Sequence, residues 1–193
     1  MSNEVLRENF REKISKIFKK NFKVFVVLLI AIFIFLFAFL FYKNLQEKNN
    51  IKVAEEFTEA SILVKQEKIE ESKLLLELII NKNHQFYSPL ALYLLIENNL
   101  EKDSRKIIAF FNIILKNNSI DEENLNLIKI KKSIYLINLD NEKLIVKTLN
   151  PMINSDSVWR NMSINLIAEY FLSKGENNKA QEYIQLLNTK EKK

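Results

Sequence analysis

From Val24 to Tyr42 the chain reads VFVVLLIAIFIFLFAFLFY, with no charge and no strongly polar side chain. As a helix rising 1.5 Å per residue this run is about 28 Å long, close to the ~30 Å hydrocarbon thickness of a bilayer. Each Leu, Ile, Phe or Val favours insertion by about 0.3–0.6 kcal/mol near the helix centre, and no charge opposes the sum. A helix packed in a water-soluble core keeps a polar face, and this one has none. The run therefore predicts a membrane span. A cleaved secretory signal is the competing reading, but its apolar region is about 7–15 residues long and ends in small residues at a cleavage site. Here the run is longer and leaves through Phe41-Tyr42-Lys43-Asn44-Leu45, which offers no such site. The expectation is an uncleaved anchor that contacts lipid through Val24 to Tyr42.

Charge around the run sets its expected direction. Residues 1–23 hold Arg7, Arg11, Lys13, Lys16, Lys19, Lys20 and Lys23 against Glu4, Glu8 and Glu12, whereas only Lys43, Lys48 and Lys52 follow closely. Basic flanks stay on the cytoplasmic side, so the N-terminus is expected inside and the C-terminal part across the membrane. The sequence divides accordingly into a basic segment 1–23, a transmembrane helix 24–42 and a domain 43–193. The net charge of +5 and pI near 9.2 sit mostly in the basic flank. They argue for an anionic membrane surface and not for nucleic acid. Leu6, Phe10, Ile14, Ile17 and Phe18 share one helical face among these bases. Two readings fit equally: an interfacial helix on the cytoplasmic leaflet, or a basic tail that only sets topology.

Past the apolar run, 1 Gly and 2 Pro in 193 residues argue for helices joined by short turns. Apolar spacing predicts the first helix over 45–65 through Val53, Phe57, Ala60 and Val64, continuing or closely following the membrane helix. A second over 69–81 is expected to bury Leu74, Leu75, Leu78 and Ile79. Ser88-Pro89 reads as a cap and first helical residue for a third, carrying Leu92, Leu95 and Ile96. A fourth spans 102–116, and Ser119-Ile120-Asp121-Glu122 reads as a capping box for a fifth to Asn138. Asp140 or Asn141 caps a sixth that stops near Asn150-Pro151, Ser155 or Ser157 starts a seventh to Ser173, and an eighth covers 177–188. Gly175 stands where a helix end wants a left-handed residue.

About eight helices in hairpins suggest a repeat. Ser72, Ser104, Ile145 and Ala180 occupy equivalent places after each turn, spaced 32, 41 and 35 residues apart. These bracket the 34-residue period of tetratricopeptide repeats. Ile164, Ile167, Ala168, Phe171, Gly175, Ala180, Ile184 and Leu187 follow that repeat's order of large and small positions. Ala91, Leu92, Leu95, Ser104 and Ile108 follow it more loosely, and Glu67 stands where the first repeat usually has Gly. The expected fold is all-α, a transmembrane helix followed by a tetratricopeptide-like α-solenoid.

A basic N-terminus, one spanning helix and an irregular repeat domain together resemble the ancillary SecYEG translocon subunit family. Ser157-Val158-Trp159-Arg160, Ala168 and Gly175–Ala180 are similar to its alphaproteobacterial members. The resemblance implies a single-pass inner-membrane protein with a periplasmic domain, binding translocon subunits, exported proteins or chaperones. Its inner face would come from the first helix of each pair, with Tyr93, Glu97, Asn165 and Glu169 as candidates for partner binding.

Residues that carry catalysis are scarce. No Cys and one His leave no expectation of a metal site or a His-based nucleophile, and one Gly excludes a phosphate loop. No cofactor, small-molecule substrate or catalytic residue is expected. His84 reads as a solvated loop residue, Trp159 as packing, and Glu55-Glu56 and Asp121-Glu122-Glu123 as solvated faces or helix starts. Two other functions stay open: a scaffold for envelope or division machinery on the same fold, and a membrane enzyme with an unrecognised carboxylate pair.

Overall fold

The computed structural model describes residues 21–188. The basic segment 1–20, including Leu6, Phe10, Ile14, Ile17 and Phe18, lies outside the described residues. Those described fold into eight α-helices with no strand: α1 (Phe22–Lys65), α2 (Ile69–Asn81), α3 (Tyr87–Glu97), α4 (Ser104–Ile114), α5 (Glu122–Asn138), α6 (Glu142–Ile153), α7 (Arg160–Ser173) and α8 (Asn177–Asn188). The apolar run and the expected first domain helix are one element, the 44-residue α1. By contacts the chain divides between Lys52 and Val53.

In the first unit, α1 is long and apolar enough to cross a membrane. Its side chains are exposed throughout, Phe33, Phe35 and Phe37 to about 70% each. Apolar surface of this extent is not left to water.

In the second unit the helices form hairpins, α1's end with α2, then α3/α4, α5/α6 and α7/α8. One turn closes all four. Glu67, Asn99, Asp140 and Gly175 take φ of 59°, 55°, 53° and 76°. In each, the left-handed residue's N–H bonds to the carbonyl three residues back, and the next N–H to the carbonyl five back: Glu67 and Lys68 to Val64 and Leu63, Asn99 and Leu100 to Ile96 and Leu95, Asp140 and Asn141 to Ile137 and Leu136, Gly175 and Glu176 to Leu172 and Phe171. This pairing satisfies the orphan carbonyls of a helix end. The turn residues repeat at the same 32, 41 and 35 residues as the sequence alignment, although only Gly175 is a glycine.

Packing is sequential: each helix from α2 on contacts the next, and α2 also meets α4, as α5 meets α7. The apolar side chains form two clusters. Val53, Ala60, Leu76, Ile79, Leu92, Leu95, Phe111 and Ile114 belong to the first, which ends with Ile128 on α5. The second begins at Ile130 on the same helix and takes in Leu136, Ile145, Leu149, Ile164, Ile167, Phe171 and Ala180.

Several local expectations are corrected. Leu74 and Leu78 do not face the core: Leu74 is 70% exposed, and α2 buries Ser72, Leu76, Ile79 and Ile80 instead. Ser88 lies inside α3; its hydroxyl donates to the Ile79 carbonyl at 2.7 Å and accepts from the His84 N–H. Asp121, not Ser119, caps α5, accepting from the Asn124 N–H at 3.0 Å, while the Ser119 N–H donates to Asn117. Of the two caps offered for α6, Asn141 is the one used. That helix continues through Pro151 to Ile153, because only its last turn loses a bond and Asn154 N–H to Asn150 closes it. Neither Ser155 nor Ser157 caps α7, which begins at Arg160. The guanidinium of Arg160 donates to the Ile153 carbonyl at 3.0 Å and the Leu186 carbonyl at 2.7 Å, joining the ends of α6 and α8.

Candidate partner-binding groove

Helices α3 and α5 are the first members of successive hairpins. Two clefts open between them, and Tyr93 borders both. The larger, about 400 Å³, is walled by Phe86, Pro89, Leu90 and Tyr93 from the α3 side and by Ile120, Leu127 and Ile128 from the α5 side. Gln85, Ser119, Asp121 and Asn124 rim it. The smaller, about 140 Å³, is lined by Tyr93, Ile96 and Glu97 of α3, Phe111 of α4, and Lys131, Ile134, Tyr135 and Asn138 of α5. Together they make an apolar groove with polar edges.

Both walls are held by local chemistry. At the start of α3 the imidazole Nδ1 of His84 accepts the backbone N–H groups of Phe86 and Tyr87, at 3.1 and 3.2 Å. The lone histidine is therefore a helix cap, and burial lowers its pKa. Asp121 caps α5 opposite. Burial pushes the Tyr93 phenol up to about 12, so it stays protonated, and the Lys131 ammonium lies 5.7 Å from its ring.

Of the candidates from sequence, Tyr93 is half-buried and Glu97 exposed, and both line one wall. Asn165 and Glu169 are exposed on α7 and border neither cleft. The α5 wall was missed, though the register carries a signal for it. Tyr93, Ile134 and Glu169 each stand six residues before their left-handed turn residue, and Glu97 and Asn138 each stand two before theirs.

Elsewhere the polar clusters are tied into the fold. Glu101 accepts from the Asp103 N–H at 2.8 Å and pairs with Lys73 and Lys106 at 3.1 and 3.2 Å, bridging α2 and α4. The Asp103 N–H above all, helped by the two ammonium groups and opposed by burial, holds its carboxyl down at about 2. Glu56 pairs with Lys82, and Glu123 accepts from the Ser157 hydroxyl at 2.7 Å. Trp159 is half-buried against the second cluster. No group of three or more His, Asp or Glu side chains suited to a metal occurs among the described residues. No protein-family model, curated protein or solved structure matches the chain.

Proposed function

We propose that this chain is a membrane-anchored adaptor without catalysis, which binds protein segments in the groove between α3 and α5. One observation carries the reading: two helices at the same register of successive hairpins present an apolar groove edged by Glu97, Lys131 and Asn138, and neither Glu97 nor Lys131 is taken up in an ion pair among the described residues. Apolar floors with a few convergent polar groups take apolar side chains of a partner and orient its backbone. The four identical turns support a tetratricopeptide-like stack, and α1 supplies the tether. Confinement to a membrane raises the effective concentration of partners held there.

The basic flank supports an N-terminus in the cytoplasm and a domain in the periplasm of a bacterial inner membrane. The resemblance to ancillary translocon subunits supports the Sec translocon, exported proteins or periplasmic chaperones as partners.

A photoreactive residue at position 93 or 134 in native membranes tests this. Recovery of translocon subunits, exported clients or chaperones is expected. A mid-cell band of a fluorescent fusion, with none of these recovered, would move the assignment to an envelope or division scaffold. Protease added to spheroplasts should digest the domain, and carbonate should leave the chain in the membrane; the opposite outcomes remove the anchor and its orientation.

A further inference from the structure

The hairpins are not joined evenly. Of the packings between consecutive helices from α2 on, α4 against α5 is the sparsest. The apolar core divides at the same place, since α5 gives Ile128 to the first cluster and Ile130 to the second. Whereas α5 and α7 pack directly, α3 and α5, the corresponding pair one hairpin earlier, are parted by the two clefts of the groove. Polar ties lie to either side of this seam. Before it, Glu101 pairs with Lys73 and Lys106 across α2 and α4, and the Asn117 amide donates to the Asn83 carbonyl at 2.6 Å. Beyond it, Trp159 and Ser157 hold Glu123, Arg160 joins α6 to α8, and Asp140 holds Tyr170 and Lys174. The seam itself is crossed by the Lys132 ammonium, which donates to the Asn112 side-chain oxygen at 2.8 Å, by Lys131 over the Tyr93 ring, and by Phe111 against Tyr135 at 6.3 Å between ring centres. In a stack of helical hairpins each interface contributes separately to stability, so the sparsest one opens most easily.

We propose that the join of α4 and α5 is a hinge between two lobes, one ending with α4 and the other running from α5 to α8, and that its opening sets the width of the groove. Ile128 and Tyr135, which reach from α5 to the first cluster, form the pivot. A small rotation there leaves the packing inside each lobe intact while it moves the α5 wall against the α3 wall. The benefit to partner binding rests on the groove reading; the motion itself needs no occupant.

The chain has no native cysteine, so pairs of spin labels can be placed without background. In the full chain in nanodiscs, Gln85→Cys with Asn124→Cys and Glu97→Cys with Asn138→Cys report the widths of the two clefts by pulsed electron paramagnetic resonance. Gln85→Cys with Lys116→Cys stays within the first lobe, and Asn124→Cys with Asn161→Cys within the second. The distance distributions across the clefts are expected to be about twice as broad as those within the lobes. Equal breadth would overturn the hinge. Hydrogen exchange of Leu149→Ala, which cuts into the second cluster, is the second measurement. Protection should fall about tenfold or more in α6 to α8 and hold in α2 and α3. A fall of the same size in both lobes would also overturn the hinge. Absence of partner crosslinks from positions 93 and 134 would remove the groove reading instead, and would leave both of these measurements unchanged.

Discussion

The indole N–H of Trp159 donates to the backbone carbonyl of Glu123 at 3.0 Å, tying the segment before α7 to the first turn of α5. Ser157 completes the tie, donating to the Glu123 carboxylate at 2.7 Å and accepting from Asn126 at 3.1 Å. Trp159→Phe keeps most of the ring and removes the donor. Urea unfolding of the full chain in nanodiscs, followed by circular dichroism, should show a loss of about 0.5–1.5 kcal/mol.

His84 makes stability depend on pH. Its Nδ1 accepts two backbone N–H groups, which it does only when neutral, and burial lowers its pKa in the folded chain. The unfolded chain takes up the proton first, near the ordinary value of about 6.5. The contribution is therefore complete above that pH and is lost as pH falls through it towards the lower folded value. The midpoint of urea unfolding should drop from about pH 7 to pH 5. In His84→Ala the stability should be lower at neutral pH and flatter across the same range.

Glu101 acts in a more acidic window. Its carboxyl, held at about 2 against an ordinary 4.5, adds stability that is complete above the ordinary value and lost as pH falls through about 2. Glu101→Gln removes the charge from two lysines and weakens the bond to Asp103. It should cost about 1.5–3 kcal/mol at neutral pH, and the variant's acid unfolding should be shallower.

The two ends of the turn series respond oppositely to substitution. A Cβ added at Gly175 would meet nothing within 4 Å, so Gly175→Ala isolates the backbone cost at φ 76°. It should destabilise by about 1 kcal/mol. Glu67 is exposed at φ 59°, and Glu67→Gly should stabilise by up to about 1 kcal/mol, less the chain entropy that glycine adds to the unfolded state. Thermal unfolding of the pair measures both signs.

Ile134, 40% exposed on the groove wall, separates binding from folding. Ile134→Lys should change stability by no more than about 0.5 kcal/mol. It should nevertheless abolish the crosslinks made from position 93.

Much of the helical frame was legible in the sequence. The limits expected for α2, α5 and α8 lie close to the observed ones. Helix starts were less legible. Ser88, Ser119 and Ser157 resemble caps by type, but the Ser88 and Ser157 hydroxyls donate to Ile79 and Glu123, partners set by tertiary contact, and Ser119 only donates its N–H to the Asn117 side chain two residues back. The exposed face of α2 was misjudged because Leu74, Leu75, Leu76, Leu78, Ile79 and Ile80 give an apolar stripe wider than the face that is covered. The groove needed the lateral placement of α3 beside α5, which no single helix encodes. From the repeat register Tyr93 and Glu97 on one wall were named, while Ile134 and Asn138 on the other, at the same offsets from their turn, were not.

At position 140 the chain has an aspartate in a left-handed turn that glycine would adopt more easily. Its carboxylate accepts the Tyr170 hydroxyl at 2.9 Å and pairs with Lys174 at 2.5 Å, both on the following hairpin or its end. A glycine there would preserve the bend and lose this link. The hairpin bend thus doubles as a fastener, adding one more link between successive units to the helix packing that already joins them.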